Sequence, residues 1–402
     1  MPVRSLAGWL DENGASGTDD PMQLPSLSAL RRYTVGAEVV YDGLGTPRGG
    51  GVVTVQRSAV GSSLVSVGDK ANDGPELIDA GFAVTPLPVN AHTHLDLSAM
   101  PFTPGDYVGF IEAVIDHGRS GLRGLSAAKR GIDELVAAGT TVIGDIVTSH
   151  EVMEHLLSDD RLSGVAYWEV VGPDPDRAEE LFETTRAAVD RFRQRQRPGG
   201  MIVGVSPHTP HTVSPRLLTL LAGWARAEGL PLAIHVAESQ AEVRLHSSGD
   251  GPIADSFRRF GVPFEPSGSS PVAYLERLGV LEGGPTLVHM VNVDEEDVRT
   301  VQRRGCAVVH CPRSNEALAC GRFPWELYAK HGVDVAFGTD SSGSSPDLDV
   351  THEVVAARSM HGVKANVRGL VRAAVKGGYR ALRLEPPRVT RGAPIDGLYV
   401  WT

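Results

Sequence analysis

Cysteine is scarce: the 402 residues include only Cys306, Cys311 and Cys320. An odd number with no CxxC pair argues against a disulfide framework, and reduced thiols in a cytoplasmic protein are the expectation. Positive charge is in deficit, with Lys+Arg 38 against Asp+Glu 49 and a net charge of -11. Polyanion binding needs clustered cations, so a nucleic-acid partner is disfavoured, whereas a small nucleoside or base in a closed pocket is not. No apolar run is long enough to span a bilayer, and MPVRSLAGWLDENGASGTDD lacks the continuous apolar core of a signal peptide. A membrane partner is therefore not expected. Oligomeric state is left open, a homo-oligomer included.

The chain does have apolar residues in quantity, 41% of the total, enough for a large domain and a smaller accessory unit. Residues 1–27 are rich in Gly, Ser and Asp without periodicity and read as a mobile or loosely packed tail. Over 28–83 the short Val-rich runs AEVVYDG, GGVVTVQ and SLVSVGD predict a small antiparallel β domain. The strand-like end within 385–402, APIDGLYVWT, is expected to rejoin it. From 84 to 384 strand candidates alternate with helical patterns, the signature of an α/β protein with a (β/α)8 TIM-like barrel. The strands are FAVTPLPV, TTVIGDI, GVAYWEVV, MIVGVS, LAIHV, TLVHM, CAVVHC and VDVAFGT. Helical segments between them, such as SPRLLTLLAGWARAEG and DEEDVRTVQRRG, open on Ser or Asp and close on Gly.

Ligand and proton-transfer chemistry follows these strands repeatedly, where such barrels build their sites. His92 and His94 are spaced i, i+2, so on an extended strand end both imidazoles lie on one side and can share a cation. Asp96 beside them suits either an outer carboxylate orienting an imidazole or a helix cap. His235 lies inside LAIHVAE, with Glu238 three residues on, where a carboxylate can shuttle a proton. A helix N-terminal role for Glu238 is the competing reading. Asp340 in AFGTDSS ends a strand otherwise empty of charge; it either caps a helix or faces the site. His92, His94, His235 and Asp340 together make a four-ligand set suited to catalytic Zn²⁺, with Fe²⁺ or Mn²⁺ as alternatives. His289 in TLVHM is assigned to the attacking water, its rival role being the third ligand in place of His235. His208 in SPHTPH is a candidate substrate contact, and His211 reads as the start of the next helix. Surface placement is the default for His117, His150, His155, His246, His331, His352 and His361, while His310 is expected to point inward.

NAHTHLDLS, SPHTPHTVSP, HVAES, VHMVNV, HCPRSNEALACG and FGTDSSGSSPDLD, in this order, resemble the amidohydrolase superfamily, and more narrowly its mononuclear aminohydrolase branch. The likeness runs from about Ala83 to about Ala381. Within the branch, the run from HTHLDLS through YWEVVG and HVAES to GTDSSGSSPDLD is similar to aminodeoxyfutalosine deaminases of the futalosine route to menaquinone. The resemblance implies one divalent metal on His92, His94, His235 and Asp340, with Glu238 and His289 as the proton-transfer and water-orienting pair, aided by Asp340. It implies no carboxylated lysine, and MIVGVS contains none. The implied reaction is hydrolytic deamination of an aminopurine nucleoside, aminodeoxyfutalosine to futalosine. Its alternatives are deamination of adenosine, S-adenosylhomocysteine or guanine, a ring-opening or dehalogenating hydrolysis, and a non-catalytic metal-binding scaffold. The benzoate-type carboxylate of aminodeoxyfutalosine calls for a cation, for which Arg119 and Arg123 are candidates. Two departures stand out: His211 replaces an aromatic residue common in relatives, and the C-terminal strands are reduced.

Overall fold

The computed structural model describes residues 4–5, 31–41, 48–58, 61–69, 77–79, 81–389, 391–393 and 397–401. Apart from residues 4–5, the tail expected over 1–27 lies outside the described residues. Backbone contacts divide the chain into two compact units, residues 1–88 with 385–402, and residues 89–384. No helix among the described residues is long and apolar enough to cross a membrane.

The first unit is built from the Val-rich runs. Its strands are β1 (Arg4–Ser5), β2 (Arg31–Gly36), β3 (Val39–Val40), β4 (Arg48–Gly49), β5 (Gly51–Ser58), β6 (Gly61–Asp69), β7 (Leu77–Asp79) and β8 (Ala83–Pro86). β5 pairs antiparallel with β6 and β2, the arrangement their alternating patterns predict. The C-terminal strand Leu398–Trp401 runs antiparallel to both β8 and β1. Trp401 Nε1 donates to Thr85 Oγ1 at 2.8 Å across that ladder. Val35, Val53, Val55, Leu64, Val84, Leu398 and Val400 form the core of the unit.

The run FAVTPLPV, expected as a single strand, is two. Prolines at 86 and 88 supply no N–H to a continuous ladder, so Ala83–Pro86 stays in the first unit and Val89–Thr93 opens the second. From there the strands are β9 (Val89–Thr93), β10 (Val142–Val147), β11 (Ser163–Val170), β12 (Met201–Pro207), β13 (Ala233–Val236), β14 (Thr286–His289), β15 (Ala307–His310) and β16 (Val335–Phe337). They form two parallel sheets of four, in the orders β12-β11-β10-β9 and β13-β14-β15-β16. Isolated parallel bridges, Thr93 to Asp340 and Val205 to Leu232, link one sheet to the other at both edges. The strands are almost wholly buried, as near-continuous apolar runs covered on both faces should be.

Helices start and stop where their sequences signal it. Ser214 caps Pro215–Glu228, its side chain accepting from the Leu217 N–H. Asp294 and Asp297 form a reciprocal capping box on Glu295–Arg304, which ends at Gly305 with φ 67, a left-handed conformation that favours glycine. Gly338 answers a different need. A Cβ there would stand 2.7 Å from His92 Cβ and 2.9 Å from His92 O. This close approach of β16 to β9 seats His92. Gly338→Ala is expected to lower the stability of the protein by about 1–3 kcal/mol through overpacking, read as an earlier urea midpoint; an unchanged midpoint would show that the backbone yields freely there.

Candidate metal centre and active site

Six chemically active side chains converge beyond the strand ends. His92 and His94 leave β9, His235 lies on β13, Glu238 follows it, His289 ends β14, and Asp340 follows β16. All six are nine-tenths buried or more. Local backbone geometry aims several of them. Ala237, His289 and Asp340 adopt left-handed φ values of 52, 72 and 60. Such conformations cost a non-glycine residue of order 1–3 kcal/mol and persist only where the surroundings impose them. The backbone N–H of Asp340 donates to His92 O at 3.1 Å, pinning the acid beside the histidine strand.

Asp340 is the hub. Its Oδ1 lies 3.5 Å from His92 Nε2 and 3.4 Å from His94 Nε2. Oδ2 accepts hydrogen bonds from Ser314 Oγ at 2.7 Å and Ser344 Oγ at 2.9 Å. Across from it, His235 Nε2 and His94 Nε2 approach to 3.3 Å. His235 Nδ1 donates to His208 O at 2.9 Å, which leaves the Nε2 lone pair facing inward. Donors held 2.0–2.1 Å from one tetrahedral ion stand roughly 3.3 Å from each other. The spacing, and a His92 Nε2 buried with no hydrogen-bond partner among the described residues, fit a divalent cation.

Electrostatics divide the roles. Burial, reinforced by neighbouring imidazoles, holds His94 and His235 well below the ordinary histidine range. Burial works against ionising Asp340, but nearby His92 and the other adjacent histidines outweigh it and keep the carboxyl well below its usual value. Burial, with the charges of Asp340 and Glu242, pushes Glu238 well above the ordinary carboxyl range. His289 is held down to about 3, chiefly by burial. Glu238 Oε2 lies 3.4 Å from His289 Nε2. The Asn315 amide nitrogen is 3.0 Å from His289 Nδ1, and Asn292 Nδ2 donates to Glu238 O at 2.7 Å. The site thus sets a carboxyl biased towards its protonated form beside an imidazole that is neutral at neutral pH.

Residues 83–386 match the amidohydrolase family. The chain belongs to the amidohydrolase family. It is 45% identical over 378 residues, 90% of this chain and 89% of the relative, to the aminodeoxyfutalosine deaminase of Deinococcus radiodurans. A 5-methylthioadenosine/S-adenosylhomocysteine deaminase of Nitratidesulfovibrio vulgaris is 28% identical over 358 residues, 84% of this chain and 75% of the relative. Among solved structures, the Helicobacter pylori aminofutalosine deaminase in complex with methylthio-coformycin superimposes with a TM-score of 0.72 at 19% identity, covering 90% of each chain. At that identity the likeness speaks for the fold.

Other side chains of this amidohydrolase depart from the sequence expectations in part. His208 lines the space beside the cluster, its Nδ1 2.8 Å from Thr212 Oγ1. Asp96 bonds to no imidazole among the described residues; its Oδ2 accepts from Arg123 Nε at 2.8 Å and Thr148 Oγ1 at 2.6 Å. Arg119 is exposed and paired with Asp116. His246 and His361, assigned to the surface by default, are buried, and His310 stacks on Phe323 with centroids 3.9 Å apart. Glu169, at the end of β11 in YWEVV, lines the site and carried the same signal as Asp340, an acid closing an apolar strand. Ser314, Asn315 and Ser344 lay within quoted motifs but without assigned roles. The partners of Ser314 and Asn315 lie 26 residues away along the chain, whereas Ser344 bonds to Asp340 within its own loop.

Zinc affinity of the cluster is expected to fall roughly 10–100-fold in Ser314→Ala, because Asp340 loses an orienting hydrogen bond. Chelator competition measures it. His94→Ala should lose that zinc outright and His208→Ala should keep it; the reverse pattern would remove His94 from the ligand set.

Proposed function

We propose that the protein is a zinc-dependent deaminase of an aminopurine nucleoside, and that its substrate is aminodeoxyfutalosine, converted to futalosine for menaquinone synthesis. Hydrolysis of a C–N bond in a cyclic amidine is the chemistry of the enzyme class to which it belongs. The observation that carries the reaction is the Glu238–His289 pair beside the His/Asp cluster, 3.4 Å apart with opposite pKa displacements. The choice of substrate is supported by 45% identity to a deaminase of that name.

In this reading, residues 84–384 form one closed (β/α)8 barrel, supported by the bridges at both sheet edges, and the first unit is an accessory β domain. His92, His94, His235 and Asp340 would hold the metal. His289 is kept out of the ligand set because both its nitrogens face other partners, Asn315 and Glu238. A bound divalent ion, zinc or alternatively iron or manganese, would acidify water from a pKa of 15.7 towards roughly 7. His289 and Asp340 would orient the attacking water and take one of its protons as its oxygen adds to the carbon bearing the amino group. Neutral Glu238 donates its proton to the neighbouring ring nitrogen. The hydroxyl of the adduct returns a proton to Glu238, which passes it to the amino nitrogen; the C–N bond breaks, ammonia leaves, the oxo ring remains, and the proton taken from the water restores Glu238.

The nucleoside has a place to lie. A cavity of about 480 Å³ adjoins the cluster, sharing Tyr107, Ile111, Val114, Arg123, Glu169 and His208 with it. Its size lies in the range of small-molecule sites. His208 is the proposed substrate contact. Arg119, on the same cavity, is the cation offered to the substrate carboxylate, since Arg123 is committed to Asp96.

Glu238→Gln is expected to lower kcat roughly 10²- to 10⁴-fold with the zinc retained. Full activity in that variant would remove the assigned role. Because the Glu238 carboxyl is raised and acts protonated, activity is present below its pKa and lost as pH climbs through it. His289, at about 3, stays neutral across the neutral range and adds no acid limb there. The pH profile of kcat/KM should therefore fall on the alkaline side, and an identical fall in Glu238→Gln would assign that limb elsewhere. Ammonia release from aminodeoxyfutalosine, adenosine, S-adenosylhomocysteine and guanine in parallel tests the substrate. Preference for S-adenosylhomocysteine would favour the second relative's chemistry.

A further inference from the structure

Outside the catalytic cluster, the turn after β12 and the helix Gln240–Ser248 bring His211, Glu242 and His246 together, all buried, with one ligand atom of each within 4.8 Å of the others. Glu242 and His246 are four residues apart and so share one face of that helix. His211 Nδ1 lies 4.0 Å from Glu242 Oε1. Glu242 Oε2 is already satisfied by the Glu238 N–H at 2.9 Å. What remains is unusual for a protein interior. His211 Nδ1, Glu242 Oε1 and His246 Nε2 are each buried without a hydrogen-bond partner among the described residues.

Three orphaned donor or acceptor atoms in one place are costly unless something satisfies them together. A proton could serve one pair, but not all three groups. Two imidazoles and one carboxylate are the ligand types and number that Zn²⁺ takes from protein in a site with an open position. Burial lowers both imidazoles and so favours their neutral, ligating form. The surroundings fix the rings: His246 packs on Phe264 and Tyr274 and faces Ser267 Oγ through Nδ1 at 3.5 Å, and His211 packs on Phe257. His211 also borders the 480 Å³ cavity, which gives an ion a way in.

We propose that His211, Glu242 and His246 form a second divalent-metal site, structural in role and suited to zinc. The ion ties the turn bearing His211 to the helix bearing Glu242 and His246. Through the Glu242 Oε2 bond to the Glu238 N–H, it also steadies the segment that carries the proton donor. The proposal does not depend on which substrate the enzyme takes.

Metal analysis of the full chain tests it. Protein loaded with zinc and dialysed against metal-free buffer is expected to hold two equivalents per chain. His246→Gln should hold one, and the double variant His92→Ala/His94→Ala should also hold one. Cobalt in that double variant should give a visible ligand-field spectrum that is lost when His246→Gln is added. A His92→Ala/His94→Ala variant that holds no zinc overturns the proposal, as does an equivalent in that variant that survives the added His246→Gln. Should His246→Gln fail to fold, His211→Phe, at a turn position, carries the same expectations. Failure of the catalytic centre is distinguishable, since the double variant would then keep every equivalent the unaltered protein holds.

Discussion

Everything at the site depends on one buried carboxylate. Asp340 has no exposed water to lean on, and keeping it ionised there requires that each oxygen be met. Two serine hydroxyls meet Oδ2, and the histidines of β9 face Oδ1. Without a cation, a carboxylate closed in by neutral imidazoles is poorly compensated. With one, the same crowding becomes a ligand set. The glycine at 338 belongs to this constraint too, because any side chain there would displace His92 from the acid that opposes it.

The charge on Asp340 then decides what its neighbours can do. Glu238 is pushed up by burial first and by Asp340 second, which biases it towards holding its proton. His289 is held neutral by burial against the pull of Asp340. One acid and one base, separated in pKa by environment rather than by residue type, are what a deamination needs. Their second contacts support that division. Cys320 Sγ stands 3.8 Å from Glu238 Oε1, a weak partner that does little to stabilise a charged carboxylate.

Much of this was legible because the candidate ligand residues sit at strand ends, and strand ends are easy to find in an α/β chain. The HTH pair, HVAE and FGTD each follow an apolar run, so both their identity and their side of the molecule could be read. Residues whose role comes from a partner far along the chain could not. Asp96 read as either an orienting acid for an imidazole or a helix cap, yet its carboxylate pairs with Arg123 and Thr148, 27 and 52 residues away. His246 and His361 were set on the surface because helical histidines usually are. Their burial follows from packing against Phe264 and Tyr274 in one case and Trp325 in the other. The break in FAVTPLPV was readable in its prolines, but only with attention to the missing N–H groups rather than to hydropathy.

Strained backbone at Ala237, His289 and Asp340 has a physical explanation in the same terms. A strand delivers successive side chains to opposite faces, so a parallel strand running straight on can present only alternate residues to a site at its end. A left-handed residue turns the chain abruptly just past the last ladder bond. At β13 it comes at Ala237 and brings Glu238 in behind His235; at β14 and β16 it is the functional residue itself. Unfolding would relieve all three. The conformations persist because buried hydrogen bonds hold their flanks: Asn292 N–H and Val291 N–H to Ala237 O, and Asp340 N–H to His92 O. The strain at these three positions therefore resides in the segments whose side chains must converge.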